Sequence, residues 1–600
     1  MCGIASIYNY HYAAPQIRRE DLRVLREHLR HRGPDGEGEW YSDCGRVGLG
    51  HRRLSIIDLT DQGAQPCADE LSRVVLVFNG EIYNHPELRR ELELKGHRFR
   101  GRSDTEVLLR LYLEEGDRCW TRLRGMFAVV LWDARERCLK LVRDVHGIKP
   151  LYYADDGWRL CAASQVKALV GSRLVSHEKE PAGAAGYFLM GSVPEPFTLF
   201  REVRAVEPGQ VLTVDERGAR YSRRFGSVQG LWTDRPLESG AAPLAQAVRD
   251  SVRYHLVSDV PVMIYLSAGV DSRAIAALAV QEKSVSLSGL TLAFDEPGPE
   301  APDESGAAAA FAERIGLAHR THRLSGADFF ASQSAFLDAM DQPTLDGANI
   351  YHISRAARLA GYKVALSGVG GDELFAGYPS FRDVPLWAKL LWLPSSIPGA
   401  GDVWRRVSPW VRRWLGRGSA KVDGLLSQPR GLTGAYLLKR GLFMPWELPD
   451  LLGKEMAVEG LRRLRLPERL SEALRRTGRS DRVRVACLEM CFYLRHQLLR
   501  DADWAGMAHG VEVRTPLVDT VLTAQVAALN ASGPAPAKAD LASAAGLSVD
   551  RPKSGFTLPV RRWIESDRAL PECKEADRKL GRTQHWSRRW AYAVYRRSAR

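Results

Sequence analysis

Two short stretches of this 600-residue chain carry residue types whose spacing suits chemistry. The first is Cys2. Removal of Met1, which a small second residue permits, would make Cys2 the first residue. A free α-amine, with a pKa of about 7.7–8.0, then lies within reach of its own thiol as a base, so a nucleophile of this kind needs no histidine. The second stretch is Ser267-Ala268-Gly269-Val270-Asp271-Ser272, which follows the apolar run 260–266 and precedes a helical pattern over 272–280. A small-residue turn from strand to helix gathers backbone N–H groups and the positive helix end at one point, which makes an anion site. It is not a Walker loop, because the Gly-Lys-Ser/Thr ending is missing.

The elements around these residues differ between the two halves of the chain. Up to about residue 225, short alternating runs stand between turn signals, as in 73–78 before Asn79-Gly80 and in 127–132 before Asp133. Such runs predict antiparallel strands, and helical patterns over 21–29 and 86–93 complete a sheet-rich α+β domain. Residues 226–242 mix Gly, Ser, Pro and Asp without periodicity and read as a linker. From Leu244 onward strands alternate with helices: a helix over 244–256, the run 260–266, then a strand over 362–366 before a Gly-rich turn. That alternation predicts a doubly wound parallel sheet, with ligands beyond the carboxyl ends of its strands.

Composition narrows the classes. Hydrophobic residues at 45% and charged residues at 26% exclude a disordered or collagenous chain. No run of about 18 uncharged apolar residues occurs, so no membrane insertion is expected, and the N-terminus lacks the basic stretch and apolar core of a secretory signal. Nine cysteines with no C-x-x-C pair suggest neither zinc nor a disulfide framework, and a reducing cytoplasm fits. The net charge of +13 is uneven: residues 381–480 hold 19 Lys and Arg against 9 Asp and Glu. This Trp-rich basic segment contains Trp387, Trp392, Trp404, Trp410 and Trp414, and it reads as amphipathic helices with solvated faces, without nucleic-acid binding.

Five strings in the first half stand in a telling order: Cys2-Gly3-Ile4, His31-Arg32-Gly33-Pro34-Asp35, His51-Arg52-Arg53-Leu54-Ser55-Ile56, Asn79-Gly80-Glu81-Ile82-Tyr83-Asn84 and Ser103-Asp104-Thr105-Glu106. Together they resemble the glutaminase domain of class II glutamine amidotransferases, of the N-terminal-nucleophile hydrolase type. The resemblance implies Cys2 as nucleophile, with the Asn79 side chain and the Gly80 N–H as donors to the oxyanion. It implies Arg53, Ile56, Asn79, Glu81 and Asp104 as the glutamine pocket. A planar cation suits glutamine's α-carboxylate, and the carboxylates suit its α-ammonium.

In the second half, Ser267-Ala268-Gly269-Val270-Asp271-Ser272 resembles the pyrophosphate loop of adenylating enzymes, with Ala268 where the usual pattern has glycine. With Leu366-Ser367-Gly368-Val369-Gly370-Gly371-Asp372-Glu373, the segment 508–519 and Arg551-Pro552-Lys553-Ser554-Gly555-Phe556, the chain resembles glutamine-dependent asparagine synthetases. The resemblance implies ATP binding by Leu266, Ser267, Gly269, Asp271, Ser272, Leu292, Ser367, Gly368 and Lys553. It also implies Mg²⁺ held by Asp271 and Asp372 against the triphosphate.

The implied organisation is a glutamine amidotransferase domain over 2–225, a linker over 226–242 and a synthetase domain over 243–600. Glutamine hydrolysis would supply ammonia, ATP would activate a carboxylate as its acyl-adenylate, and ammonia would displace AMP, most simply converting aspartate to asparagine. A homodimer is a possible assembly. Val369 departs from the family's usual glutamate, so either another carboxylate, Glu373 or Glu489, replaces it or the acceptor is another acid. The rival readings are a plain amidohydrolase, a nucleic-acid-binding protein and an intramolecular amide-forming cyclase.

Overall fold

The computed structural model describes residues 2–233, 243–295, 303–393, 397, 399–414, 420–426, 431–548, 570–581 and 585–598. Twelve strands build the first half: β1 (Gly3–Tyr8), β2 (Gly36–Tyr41), β3 (Val47–Arg53), β4 (Cys67–Ala68), β5 (Val74–Ile82), β6 (Gly125–Asp133), β7 (Cys138–Arg143), β8 (Tyr152–Asp155), β9 (Leu160–Ala163), β10 (Val203–Ala205), β11 (Gln210–Asp215) and β12 (Arg220–Arg224). They form two six-stranded sheets, ordered β10-β8-β9-β1-β3-β2 and β12-β11-β7-β6-β5-β4. The pairing is antiparallel throughout.

Alternation along each strand explains the layering. In β5, Val75 and Val77 point between the sheets with Ile4, Leu49, Val130 and Leu141. Val74, Leu76 and Phe78 point outward, beneath the helices His85–Leu94 and Asp104–Glu115. The other sheet is covered by the helix Arg19–Glu27 through Leu22 and Leu25. The result is helices, two sheets and helices in four layers, as the alternating runs imply. One detail differs from expectation: Asn79-Gly80 is not a turn. Strand β5 continues to Ile82, because Gly80 holds an extended backbone with φ +155°, and the register with β6 runs unbroken through Asn79↔Ala128 and Gly80↔Phe127.

Within the stretch read as a linker, residues Val228–Leu231 form a helical turn and Trp232 is buried, its Nε1 donating to Met490 Sδ at 3.1 Å. The second half is built on β13 (Val262–Tyr265), β14 (Leu287–Phe294), β15 (His319–Leu324), β16 (Val364–Leu366) and β17 (Glu512–Arg514), in the order β15-β14-β13-β16-β17 and all parallel. The order reverses between β13 and β16, so the crevice beyond their carboxyl ends is the topological switch point. Successive residues of β13 enter the helical layers on opposite faces, Val262 and Ile264 on one, Met263 and Tyr265 on the other.

The halves interlock. Leu54, Ile56 and Tyr83 of the first join the main apolar core of the second. Arg32 meets Asp503 at 2.8 and 3.1 Å, Arg124 meets Asp519 at 2.8 and 2.9 Å, and Arg463 meets Glu180 at 2.6 and 2.8 Å. Removing one partner of a buried pair such as Arg32–Asp503 typically costs about 3–5 kcal/mol, because a charge is left uncompensated.

Candidate active sites

The first site lies between β1, β3 and the end of β5. Cys2 is 9% exposed, and its N–H donates to Asn79 Oδ1 at 3.0 Å while its carbonyl accepts from Arg32 Nε at 3.1 Å. Burial pushes the Cys2 thiol above its ordinary value; the chain's amino terminus, the Leu54 amide and Arg53 act in the opposite sense. Asn79 is fully buried, and its Nδ2 has no hydrogen-bond partner among the described residues. An unmade buried donor is costly, so this amide is open to an incoming acceptor.

Strand register turns the Gly80 N–H out of the β5–β6 ladder. Its partner Phe127 commits its N–H to Asp144 Oδ2 and its carbonyl to Asp144 N. The Gly80↔Phe127 pair is therefore unbonded across the ladder, and the Gly80 N–H turns to the opposite edge of β5. The same edge carries the Phe78 N–H that donates to Gln65 Oε1 at 2.6 Å. A Cβ at position 80 would lie 2.0 Å from the Met126 carbonyl, which leaves glycine as the fitting residue.

Arg53 is oriented by donation to the carbonyls of Thr60, at 2.8 Å, and Asp58. Ile56 is buried, and its carbonyl accepts from Asp259 N across the domain junction at 3.1 Å. Asp104 starts its helix and accepts from Ile82 N at 3.0 Å; burial raises its carboxyl. Glu81 is buried with Oε2 unpartnered among the described residues, and its carboxyl is pushed well up by burial and by the neighbouring Glu512.

The second site is a cavity of about 310 Å³ at the switch point, lined by Leu266, Ser267, Gly269, Asp271, Ser272, Leu292, Ser367, Gly368 and Asp372. Every described residue expected to hold ATP is in that wall; Lys553 lies outside the described residues. A larger cavity, about 680 Å³ beside Leu189, Phe443 and Leu464, contains none of them. The loop is tied by Ser267 Oγ to Ser272 Oγ at 2.9 Å and by Gly269 N to Ser267 Oγ at 3.2 Å. Ala268 is not among the positive-φ residues, so alanine is accommodated without backbone strain. The second loop approaches so closely that a Cβ on Gly371 would lie 2.6 Å from Asp271 Cγ.

Asp271 and Asp372 face one point, where Lys538 Nζ bonds the first and lies 3.0 Å from the second. Two carboxylates beside a phosphate-sized loop are the hard oxygen donors Mg²⁺ takes, so these residues fit the ion. Among the described residues no group of three or more His, Cys, Asp or Glu is placed to hold a metal unaided. Lys538 was not foreseen: it begins a helix after the run Gly533-Pro534-Ala535-Pro536-Ala537, and no local pattern marks it.

The same cavity is also walled by Val369, Glu373, Tyr378, Asp346 and Asp501. Tyr378 donates to Glu373 Oε1 at 3.0 Å, Glu373 Oε2 has no partner among the described residues, and burial with Asp372 and Glu489 nearby pushes the Glu373 carboxyl up to about 7. Glu489 is different. It is fully buried and held by Ser380, Tyr436 and Arg440. Of the two carboxylates considered as substitutes at Val369, only Glu373 reaches the cavity wall.

One residue touches both sites. Arg514 on β17 is fully buried; its guanidinium lies 3.4 Å from Glu81 Oε1, donates to Glu512 Oε1 at 2.5 Å and holds the carbonyls of His255 and Val257. Its own carbonyl accepts from Ser367 N at 2.8 Å.

Comparison with known proteins gives the family. A glutamine amidotransferase domain model covers residues 1–225, and an asparagine synthase model covers residues 243–585. The chain belongs to the asparagine synthase family. A glutamine-hydrolysing asparagine synthetase 1 of Bacillus subtilis (strain 168) is 31% identical over 593 residues, spanning 94% of this chain and 88% of that protein. A putative glutamine-hydrolysing asparagine synthetase of Mycobacterium tuberculosis (strain ATCC 25618 / H37Rv) is 32% identical over 572 residues, spanning 90% and 84%. The family places the chain among enzymes that join a glutaminase to an ATP-using synthetase. The nine cysteines are all free thiols, and among the described residues no helix is long and apolar enough to cross a membrane.

Proposed function

We propose that this chain is a glutamine-dependent ligase that amidates aspartate to asparagine through an acyl-adenylate, with units at 2–225 and 243–600 and with Met1 removed in the active form. The Cys2 thiol passes its proton to the freed α-amine and attacks the glutamine amide carbon. Asn79 Nδ2 and the Gly80 N–H receive the oxyanion, Arg53 holds the α-carboxylate, and Glu81 with Asp104 holds the α-ammonium. Ammonia leaves, and water releases glutamate from the thioester.

In the synthetase unit an acceptor carboxylate oxygen attacks the α-phosphorus of ATP and pyrophosphate departs. Ser267, Gly269, Ser272 and Lys538 cradle the phosphates, with Lys553 assigned to the leaving pyrophosphate and Leu266, Leu292, Ser367 and Gly368 to the adenosine. Mg²⁺, held by Asp271 and Asp372 with phosphate oxygens, would offset the charge of the departing group. Ammonia then attacks the acyl carbon, AMP leaves, and Glu373 accepts the proton that Val369 cannot, its raised carboxyl being near the working range for a base.

The observation that best supports one coupled enzyme is Arg514, whose side chain meets the glutamine-binding carboxylate and whose backbone meets the adenylate loop. ATP/pyrophosphate exchange, screened with L-aspartate, other amino acids and uronic acids, tests the acceptor. Exchange and asparagine formation with aspartate are expected. Exchange with another acid and none with aspartate would refute the acceptor while leaving the chemistry intact.

A further inference from the structure

The basic segment between the two parts of the synthetase domain leaves a row of apolar side chains on its surface. In the helix Ala400–Trp414, Val403, Val407 and Trp410 are spaced four and three residues apart on one face and are 59%, 46% and 77% exposed. On the other side Ser408 is fully buried and donates to Asp423 Oδ1 at 2.7 Å, and Arg405 lies over the Trp446 ring, while Asp402 and Arg406 remain exposed. The preceding helix Ser380–Leu390 packs Phe381, Val384, Trp387 and Ala388 inward yet also leaves Leu386 and Leu390 exposed, and Trp392 follows at 56% exposure. Scattered exposed apolar residues are ordinary, but an apolar stripe turned outward while a serine is buried marks a surface meant to be covered.

Charge selects the cover. Arg382, Lys389 and Arg406 are exposed in the same helices, within the segment that carries 19 Lys and Arg against 9 Asp and Glu. A second copy docked by twofold symmetry would set this basic surface against itself. A nucleic acid would meet the charges and leave the valine and leucine side chains unburied. We propose that this face docks on an anionic lipid bilayer, with the Val403–Val407–Trp410 stripe and the Leu386, Leu390 and Trp392 side chains in the acyl boundary and the basic side chains at the headgroups. The helices lie in the interface plane; at about 1.5 Å per residue, fifteen residues are too short to span the hydrocarbon core. Anionic headgroups supply the long-range attraction and apolar burial the short-range hold.

Vesicle flotation with the full-length chain tests this. Co-flotation is expected with vesicles of equal parts phosphatidylcholine and phosphatidylglycerol, with partition falling about tenfold or more from low salt to high salt and on pure phosphatidylcholine. The surface variants Val407→Glu and Trp410→Glu should lose flotation about tenfold while glutaminase activity and melting temperature stay unchanged. Leu390→Glu on the other helix gives a separate check. No flotation with anionic vesicles overturns the assignment and leaves an acidic protein as the partner. Equal flotation on neutral vesicles overturns it, as does a dimer in sedimentation that Val407→Glu splits.

Discussion

The glutaminase centre and the synthetase centre of this molecule are built by opposite means. Around Cys2 the polar groups sit on strands and are almost sealed: Asn79 and Glu81 are buried, and both keep one polar atom without a described partner. Around Asp271 and Asp372 the groups sit on loops beyond strand ends, in an open cavity whose two carboxylates share a lysine. The difference follows the chemistry. Amide cleavage develops one small charge at one place, and rigid, water-poor donors stabilise it most. Adenylation must admit a large polyanion and release another, so its charges must be exchangeable.

The contrast breaks first at the nucleophile. Cys2→Ala should lower glutamine-dependent synthesis by about 10⁴-fold, since the residual rate comes from binding and the oxyanion donors alone. Ammonia-dependent synthesis should stay within about twofold. Parallel loss of both activities would mean that the two centres are not separable. Asn79→Ala comes next. Glutaminase kcat should fall about 10²–10³-fold with KM for glutamine nearly unchanged, because the Nδ2 bond to the oxyanion exists only in the transition state and the other bond lost, from Cys2 N–H to Oδ1, holds the nucleophile and not the substrate. A rise in KM alone would move Asn79 from the oxyanion to ground-state binding.

The synthetase side carries its own signature in pH. The Glu373 carboxyl is raised by burial and its acidic neighbours to about 7, so between about pH 4.5 and 7 the folded chain holds a proton that the unfolded chain has released. Stability contributed by that proton is present at the acid end, is lost as pH rises through the folded pKa, and is flat above it. The total is about 2–4 kcal/mol across the window. Thermal melts of the wild type and of Glu373→Gln should differ by this slope; identical pH profiles would remove Glu373 from the buried set.

Lys538→Ala should follow, lowering ATP/pyrophosphate exchange by about 10–10²-fold, since an exchangeable cation beside phosphate contributes less than a sealed one. Glutamine hydrolysis should be unaffected. An exchange rate within twofold of wild type would show that Lys538 only neutralises the two aspartates.

Much of this contrast was legible in the residues. The nucleophile strings are contiguous and short, so the residues proposed for the sealed site could be named from the resemblance, and the alternating runs 73–78 and 127–132 are strands as read. The open site was read only at its loops. Lys538 arrives from a Pro/Ala-rich stretch with no spacing to mark it, and Glu373 separates from Glu489 only once packing shows which one faces the cavity. Asn79-Gly80 misled because the same pair favours turns and tolerates the extended φ that β5 needs. Amphipathicity in the basic helices does not say which apolar side chains are covered; Val403, Val407 and Trp410 of Ala400–Trp414 are exposed.

Arg514 gives the smallest expected effect and the sharpest comparison, because it belongs to both centres. Arg514→Lys keeps the backbone carbonyl that holds Ser367 N and a charge for Glu512, but one ammonium cannot also reach Glu81 and the carbonyls of His255 and Val257. Glu81 should then hold the glutamine ammonium less well. KM for glutamine should rise about tenfold, equivalent to about 1.4 kcal/mol, with kcat and ammonia-dependent synthesis nearly unchanged. A purely structural role would lower melting temperature and both activities in step. If ammonia-dependent synthesis fell as far as the glutamine-dependent rate, the guanidinium would be a strut of the domain junction, and the sealed and open centres would communicate by some other contact.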